Sequence, residues 1–175
     1  MIYIRDVKKE LEYDFLNKVE VDNSSFKELL RNAYSESICK KKSFKEIVMK
    51  NKDNTEGVLG YYIISMCRIS LPKDVVENFD DFQYFSVNLD LIYIHTPYRH
   101  RGIGKAVINY IISEAKNVSN MTGCRFLSLD ALNGLENLYG GLGFNLSNIE
   151  RNYSATKMMF YDFRDAILYE EYSNP

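Results

Sequence analysis

The sequence predicts a layered α/β (α+β) domain, in which helices cover the faces of a mixed β-sheet. Segments typical of strands and helices alternate in the order strand, helices, hairpin, strand, helix, strand, helix, strand, and this order favours helices packed on a sheet. The length of 175 residues and the 46% hydrophobic content are ordinary for one globular domain. We therefore expect residues 1–175 to form a single domain, with residues 164–175 as a peripheral C-terminal extension.

The first half of the chain contains one strand, two helices and a hairpin. In order, the predicted elements are a strand over 2–7, helices over 11–19 and 26–34, and hairpin strands over 44–49 and 58–71. Ser24 and Ser25 are suited to cap the second helix, and the polar stretch 51–57 has the composition of a turn. Pro72 ends the hairpin, and we expect residues 73–83 to form a loop or a short helix.

The second half of the chain has clearer periodicity. The predicted elements are a strand over 84–95, a helix over 106–115, a strand over 125–129, a short helix over 135–139, a turn over 140–144 and a last strand over 156–163. The first of these runs is rich enough in β-favouring residues to be buried on both faces. In the following helix, Ile108, Ile111, Ile112 and Ala115 recur at i, i+3, i+4 and i+7, which predicts one apolar stripe.

Composition excludes several classes of protein. The 22 basic and 24 acidic side chains give a net charge of -2, which argues against a surface built throughout for nucleic acid. Two His and three Cys are too few for a His-rich or Cys-rich metal site. Cys39, Cys67 and Cys124 are widely spaced and odd in number, so we expect no disulfide framework and a reducing, cytoplasmic location. No apolar run is long enough to cross a bilayer, so we expect no membrane association.

A glycine loop between the central strand and the amphipathic helix carries the main chemical signal. Its sequence is RHRGIGK, over residues 99–105. Gly102 and Gly104 allow close approach of a ligand to the backbone, and the N-terminus of the helix that follows attracts anions. Three basic side chains add charge at the same point, which makes a pyrophosphate a suitable guest. The candidate cofactor-binding residues of the loop are Arg99, His100, Arg101, Gly102, Ile103, Gly104 and Lys105.

Two common phosphate loops do not fit this segment. The dinucleotide fingerprint needs a third glycine, which the sequence after Gly104 lacks, and the nucleotide P-loop needs Gly at position 99 and Ser or Thr at position 106. The segment instead resembles the acetyl-CoA loop of the GNAT superfamily: Gln or Arg, two free positions, Gly, one free position, then Gly or Ala. Arg99, Gly102 and Gly104 match every fixed point. A second block, LYGGLGF over 138–144, resembles the aromatic-Tyr-x-x-Leu-Gly-Phe signature of the same superfamily.

The resemblance implies a GNAT-like fold with a mixed, mostly antiparallel central sheet flanked by helices on both faces. It implies that acetyl-CoA is the cofactor and that its pantetheine arm pairs with the backbone of Ile92, Tyr93 and Ile94. Tyr139 matches the tyrosine that protonates the departing coenzyme A thiolate, and a phenol is a sufficient acid for a thiolate. Members often carry an Asn seven residues before this tyrosine. That position is Leu here, so Asn133, one residue on, is the candidate for this contact.

The acceptor amine must lose a proton before it attacks, and Asp90 and His95 are the alternative candidates for the base. The function predicted is N-acetylation of a primary amine on a small molecule or peptide, by direct transfer in a ternary complex. A toxin-type GNAT that acetylates aminoacyl-tRNA and a non-catalytic acyl-CoA-binding module are the alternatives. Self-association into a homodimer stays open. For the toxin alternative, the lysines that would meet the RNA are Lys40, Lys41, Lys42, Lys45, Lys50 and Lys52.

Overall fold

The structure is a computed structural model that describes residues 1–7, 28, 32, 42–71, 83–147 and 155–164. The predicted helix over 11–19, most of that over 26–34, the segment 72–82 and the tail from 165 onward lie outside the described residues. Within the second of these helices, Glu28 and Asn32 are described and both are helical.

The described residues form seven strands and two α-helices, which confirms the predicted mixed α/β fold. Their bounds are β1 Ile2–Asp6, β2 Lys42–Lys50, β3 Glu56–Ser70, β4 Gln83–Ile94, α1 Ile103–Thr122, β5 Phe126–Leu132, α2 Glu136–Gly140, β6 Asn145–Leu146 and β7 Thr156–Asp162. The strands are ordered β1-β2-β3-β4-β5-β7-β6. β4 and β5 pair in parallel, whereas β1–β2, β2–β3, β5–β7 and β6–β7 are antiparallel.

The chain divides into two compact units. The first contains Met1–Ser65 and Leu91–Gly104, and the second contains Met66–Asp90 and Lys105–Pro175. Since β3 and β4 are long, each contributes residues to both units. None of the described helices is long and apolar enough to cross a membrane.

The first unit is built on the predicted hairpin. β2 and β3 pair from Lys42↔Ser65 to Lys50↔Glu56, with an irregularity between Ile47 and Val48. Along β2 and β3, buried and exposed side chains do not alternate regularly, because much of both faces is buried. Within the first unit, the buried apolar residues of these two strands are Phe44, Ile47, Val48, Leu59, Tyr61, Tyr62 and Ile63.

The carboxylate of Glu46, 3% exposed, is buried in this unit. It accepts a hydrogen bond from Arg5 Nε at 2.7 Å, and Arg5 Nη1 reaches Glu56 at 2.7 Å. One arginine therefore ties β1 to both strands of the hairpin.

The second unit packs the amphipathic helix and the β5–β7 pair. Val107, Ile108, Ile111 and Ala115 of α1 are buried, which confirms the predicted apolar stripe except that Ile112 is only half-buried. A separate cluster consists of Ile69, Leu71, Phe126, Met158 and Phe160.

The largest differences from the predicted elements are the length of α1 and the strand β6. α1 begins at Ile103 and ends at Thr122, because the polar residues beyond the apolar stripe continue the helix without a breaker until Gly123, at φ 71°. β6 has two residues, too short for period-2 alternation to be visible in the sequence.

Candidate functional site

The glycine loop leads from β4 into α1, and its residues up to Gly104 belong to the first unit. After Ile94 the chain forms a 3-10 turn over Thr96–Tyr98. His100 and Gly102 then take positive φ angles, 59° and 78°. For Gly102 this conformation costs little, which is a direct physical reason for glycine at that position.

Gly104 has a different reason to be glycine. A Cβ added to Gly104 would meet nothing within 4 Å, and its φ is not in the left-handed region. Packing within the protein therefore does not require glycine here, while the bare backbone leaves room for a ligand at the first turn of α1. The first N–H groups of a helix have no partner within it, and Arg101 and Lys105 beside them are exposed. These features suit the pyrophosphate of coenzyme A.

Arg99 does not extend away from the protein as a free cation. Its Nε donates a hydrogen bond to the carbonyl oxygen of Ile94 at 2.8 Å, and its guanidinium carbon lies 5.4 Å from the ring centroid of Tyr93. Arg101 lies more loosely over Tyr98, at 5.9 Å. The two arginines of the loop thus have different surroundings.

Near the end of β4, the two edges of the strand have different neighbours. The carbonyl oxygen of Tyr93 faces Gly60 of β3, so closely that a Cβ there would lie 2.0 Å from it. The N–H of His95 donates to the carbonyl of Leu59 at 2.9 Å. Because successive residues of a strand direct their backbone groups to opposite edges, Ile92 and Ile94 face the other edge. The described pairs with β5 on that edge run from Ser86↔Phe126 to Leu89↔Leu129, before these residues.

Tyr139 belongs to the second unit, on the short helix α2. It is 6% exposed, and its ring packs edge-to-face against Phe144 at 5.7 Å. The backbone carbonyl of Tyr139 also accepts hydrogen bonds from the N–H groups of Leu142 and Phe144, so the LYGGLGF segment closes on itself. Burial raises the pKa of the Tyr139 hydroxyl above its ordinary value of 10.0. The phenol therefore keeps its proton at neutral pH.

The two candidate bases have contrasting surroundings. His95, in the first unit, is half-buried between the rings of Tyr61 and Tyr93, with centroid distances of 5.7 and 5.2 Å. Asp90, in the second unit, accepts a hydrogen bond from Asn88 Nδ2 at 2.5 Å. Asn133, also in the second unit, is exposed at the turn after β5, and its N–H donates to the carbonyl of Ala155 at 3.2 Å.

The sequence did not reveal a chain of hydrogen-bonded polar side chains that leads to Asp90. Ser86 Oγ lies 2.8 Å from Ser128 Oγ, and Ser128 Oγ donates to Asn88 Oδ1 at 3.0 Å. Ser86 and Ser128 are both fully buried. The signal available in the sequence was the polar residue at every second position of β4, at 86, 88 and 90, within a run otherwise rich in apolar residues.

The mixed sheet and the glycine loop that leads from β4 into α1 are those expected of an acetyltransferase that uses acetyl-CoA. The chain belongs to the Acetyltransferase (GNAT) family, whose model matches residues 16–144. It is therefore an acetyl-CoA-dependent N-acetyltransferase, which favours the enzyme over the non-catalytic binding module. No curated protein sequence matches the chain closely enough to count as a relative.

Solved structures share the fold over nearly the whole chain. AtaT complexed with acetyl-methionyl-tRNAfMet aligns with a TM-score of 0.77 at 18% identity, over 97% of this chain and 99% of that chain. A tyrosine-to-phenylalanine mutant of KacT aligns with a TM-score of 0.76 at 18% identity, over 96% and 98%. AtaTR bound with acetyl-CoA aligns with a TM-score of 0.67 at 19% identity, over 96% and 97%. At these identities the likeness establishes the fold.

Proposed function

We propose that this acetyltransferase transfers the acetyl group of acetyl-CoA to the α-amino group of an aminoacyl-tRNA, by direct transfer in a ternary complex. The observation that carries the proposal is the end-to-end similarity to AtaT, a protein whose structure contains acetyl-methionyl-tRNAfMet. The alignment covers 97% of this chain and 99% of AtaT, whereas the family model covers residues 16–144. The toxin-type acetyltransferase is thus the form of the predicted amine acetylation that the comparisons favour.

The phosphate and pantetheine groups of acetyl-CoA are assigned to the glycine loop and to the end of β4. The backbone N–H groups from Arg101 to Lys105 would hold the pyrophosphate, because they lead into the first turn of α1 and Gly104 leaves open space beside them. The backbone of Ile92 and Ile94 would pair with the pantetheine amides on the edge of β4 that faces away from β3. Asn133 is a further candidate to contact acetyl-CoA.

Acetyl-CoA supplies an acetyl thioester, whose carbonyl carbon is open to attack by an amine. Tyr139 holds the proton that the departing thiolate needs. An ordinary thiol pKa of about 8.5 lies below an ordinary phenol pKa of about 10, a difference of about 2 kcal/mol, and the raised pKa of Tyr139 makes the free thiolate a still weaker base relative to this phenol. Asp90 and His95 remain the candidates to take the proton from the amine.

The basic side chains on β2 and in the turn after it offer a limited RNA surface. Lys45 is ion-paired with Asp6, at 2.6 Å, which reduces its contribution. Lys50 and Lys52 are exposed, whereas Lys40 and Lys41 lie outside the described residues. Electrostatic attraction of a few lysines gives a modest salt dependence of binding, so we expect recognition of the charged 3′ end to dominate.

A toxin-type function also implies partners and a location. A tyrosine-to-phenylalanine mutant of AtaT has been solved bound to the C-terminus of the antitoxin AtaR and acetyl-CoA, and KacTA has been solved in a complex with DNA. By analogy, we include an antitoxin among the proposed partners, and a substrate such as aminoacyl-tRNA would require a cytoplasmic location. The single-domain organisation and the homodimer stay predictions.

The direct test is acetyl transfer from radiolabelled acetyl-CoA to a set of individually charged tRNAs. We expect label in acid-precipitable RNA, released as an N-acetyl amino acid when mild alkali cleaves the aminoacyl ester. Uncharged tRNA is the matched control, since it has the same backbone and lacks the amine. Expression of the protein should arrest growth, and expression of Tyr139→Phe should not.

The competing acceptors are assayed in parallel. Label that enters polyamines, free amino acids or peptides, with none on charged tRNA, would overturn the aminoacyl-tRNA proposal and restore the small-amine function. Such a result leaves membership of the acetyltransferase family untouched.

A further inference from the structure

The side chain of Arg99 turns back onto the strand that precedes it. Arg99 caps the 3-10 turn over Thr96–Tyr98, and its own N–H donates to the carbonyl of Thr96 at 3.2 Å. This turn brings the side chain to the last residue of β4, where Nε donates to the carbonyl of Ile94 at 2.8 Å. The planar guanidinium then covers the ring of Tyr93, 5.4 Å from its centroid. Both contacts are with the strand and not with the loop.

The carbonyl that Arg99 holds lies on the edge of β4 that faces away from β3. Tyr93 and His95 direct their backbone groups to β3, at Gly60 and Leu59, so Ile94 presents its groups to the opposite edge. On that edge Arg99 supplies the donor that a neighbouring strand would otherwise supply to Ile94. The side chain therefore lies at the end of this edge of β4.

We propose that Arg99 is a positioning residue for the pantetheine arm of acetyl-CoA and not a ligand of its pyrophosphate. By holding the Ile94 carbonyl, it leaves the N–H and C=O of Ile92 and the N–H of Ile94 as the groups that a ligand amide can reach. It also fixes the end of β4 against the start of the loop. The inference rests on the use of acetyl-CoA and is independent of the acceptor.

The position of the donor atom distinguishes the two roles. Arg Nε is bonded to Cδ, and the amide nitrogen of Gln is bonded to Cδ in the same way. Arg99→Gln thus keeps an N–H donor at the required position and removes the charge. Arg99→Lys does the reverse, because it keeps the charge and places a methylene where Nε was. A positioning role predicts that Gln is the better substitute, and a phosphate contact predicts Lys.

The experiment measures binding of two acetyl donors to the full-length protein: acetyl-CoA by calorimetry, and S-acetylpantetheine, which lacks the pyrophosphate and nucleotide, by NMR titration. We expect Arg99→Gln to bind both donors within about threefold of the wild type. Arg99→Lys should weaken both by a similar factor of about five to ten, the scale of one partly exposed hydrogen bond. Arg101→Gln, in the same loop and also exposed, is the control and should weaken acetyl-CoA alone.

Melting temperatures establish that each variant is folded, which the exposure of Arg99 favours. The proposal is overturned if Arg99→Gln weakens acetyl-CoA tenfold and leaves S-acetylpantetheine unchanged, or if Arg99→Lys binds both donors like the wild type. No acceptor is present in these titrations. Failure here would therefore leave the proposed aminoacyl-tRNA activity standing, and failure of that activity would leave this result intact.

Discussion

Replacing Gly60 by Ala should separate β3 from β4 beside the candidate pantetheine edge. The added Cβ would lie 2.0 Å from the carbonyl oxygen of Tyr93 and 3.0 Å from Cα of Ile94. The first of these contacts is about 1.4 Å shorter than an ordinary van der Waals contact of 3.4 Å. Both neighbours are backbone atoms, so a change of rotamer cannot relieve the clash.

The cost follows from the movement needed. Separation by about 1.4 Å would break the adjacent bond from His95 N–H to the Leu59 carbonyl, now 2.9 Å long. A lost hydrogen bond costs about 1 kcal/mol, and overpacking about 1–3 kcal/mol. We therefore expect Gly60→Ala to lower the free energy of unfolding by about 2–4 kcal/mol and to weaken acetyl-CoA binding.

Gly57→Ala is the matched control, because it lies on the same strand and its Cβ would meet nothing within 4 Å. Ala at this position should be neutral or stabilising by up to about 1 kcal/mol, since glycine loses more backbone entropy on folding. Urea unfolding of both variants measures the difference. Equal stabilities for Gly60→Ala and Gly57→Ala would refute the close approach on which the prediction depends.

Four further results are expected. Gly104→Val should retain the wild-type melting temperature, because its Cβ has open space, and should lose measurable acetyl-CoA binding in calorimetry; unaltered binding would remove the loop from the phosphate site. Tyr139→Phe should lower turnover by about 10²–10⁴ with little change in acetyl-CoA affinity, and a rate within twofold of wild type would exclude the general-acid role. Asp162→Ala leaves the half-buried Arg125 without its bidentate partner and should cost about 3 kcal/mol in urea unfolding, which an unchanged midpoint would contradict. Burial raises the pKa of both Tyr61 and Tyr139, so the unfolded chain loses these phenol protons at lower pH than the folded protein. The free energy of unfolding should therefore be unaffected below a pH of about 10 and fall as the pH rises above it. Between pH 9.5 and about 11, Tyr61→Phe should lose less of its free energy of unfolding than the wild type does.

The sequence predicted the parts of the fold that depend on local pattern. Runs rich in β-favouring residues located β2, β3 and β4, and an i, i+3, i+4, i+7 stripe located α1, because burial leaves a trace in the residue types. The two-residue strand β6 has no such trace, since its pairing with β7 is determined by the neighbouring strand and not by its own residues.

For the candidate site, spacing located the loop but not the side-chain contacts. The glycines of the loop could be located by their spacing, whereas the return of Arg99 to Ile94 depends on a 3-10 turn that no periodicity shows. The polar chain from Ser86 to Asp90 likewise depends on the parallel register of β4 with β5, which brings Ser128 beside Asn88. Contacts between residues distant in sequence are set by register, and register is not encoded in either strand alone.

The junction between β1 and β2 has a consequence for how such a protein can diverge. Val7 N–H donates to the carbonyl of Phe44 at 3.3 Å, and Asp6 pairs with Lys45 across the strands. The chain thus leaves β1 and enters β2 at hydrogen-bonded neighbours, so the sheet itself fixes the two ends of the connection between these strands. The entropy of closing a connection changes only slowly with its length. Insertions or deletions between β1 and β2 can therefore accumulate during divergence without altering the register of the two strands.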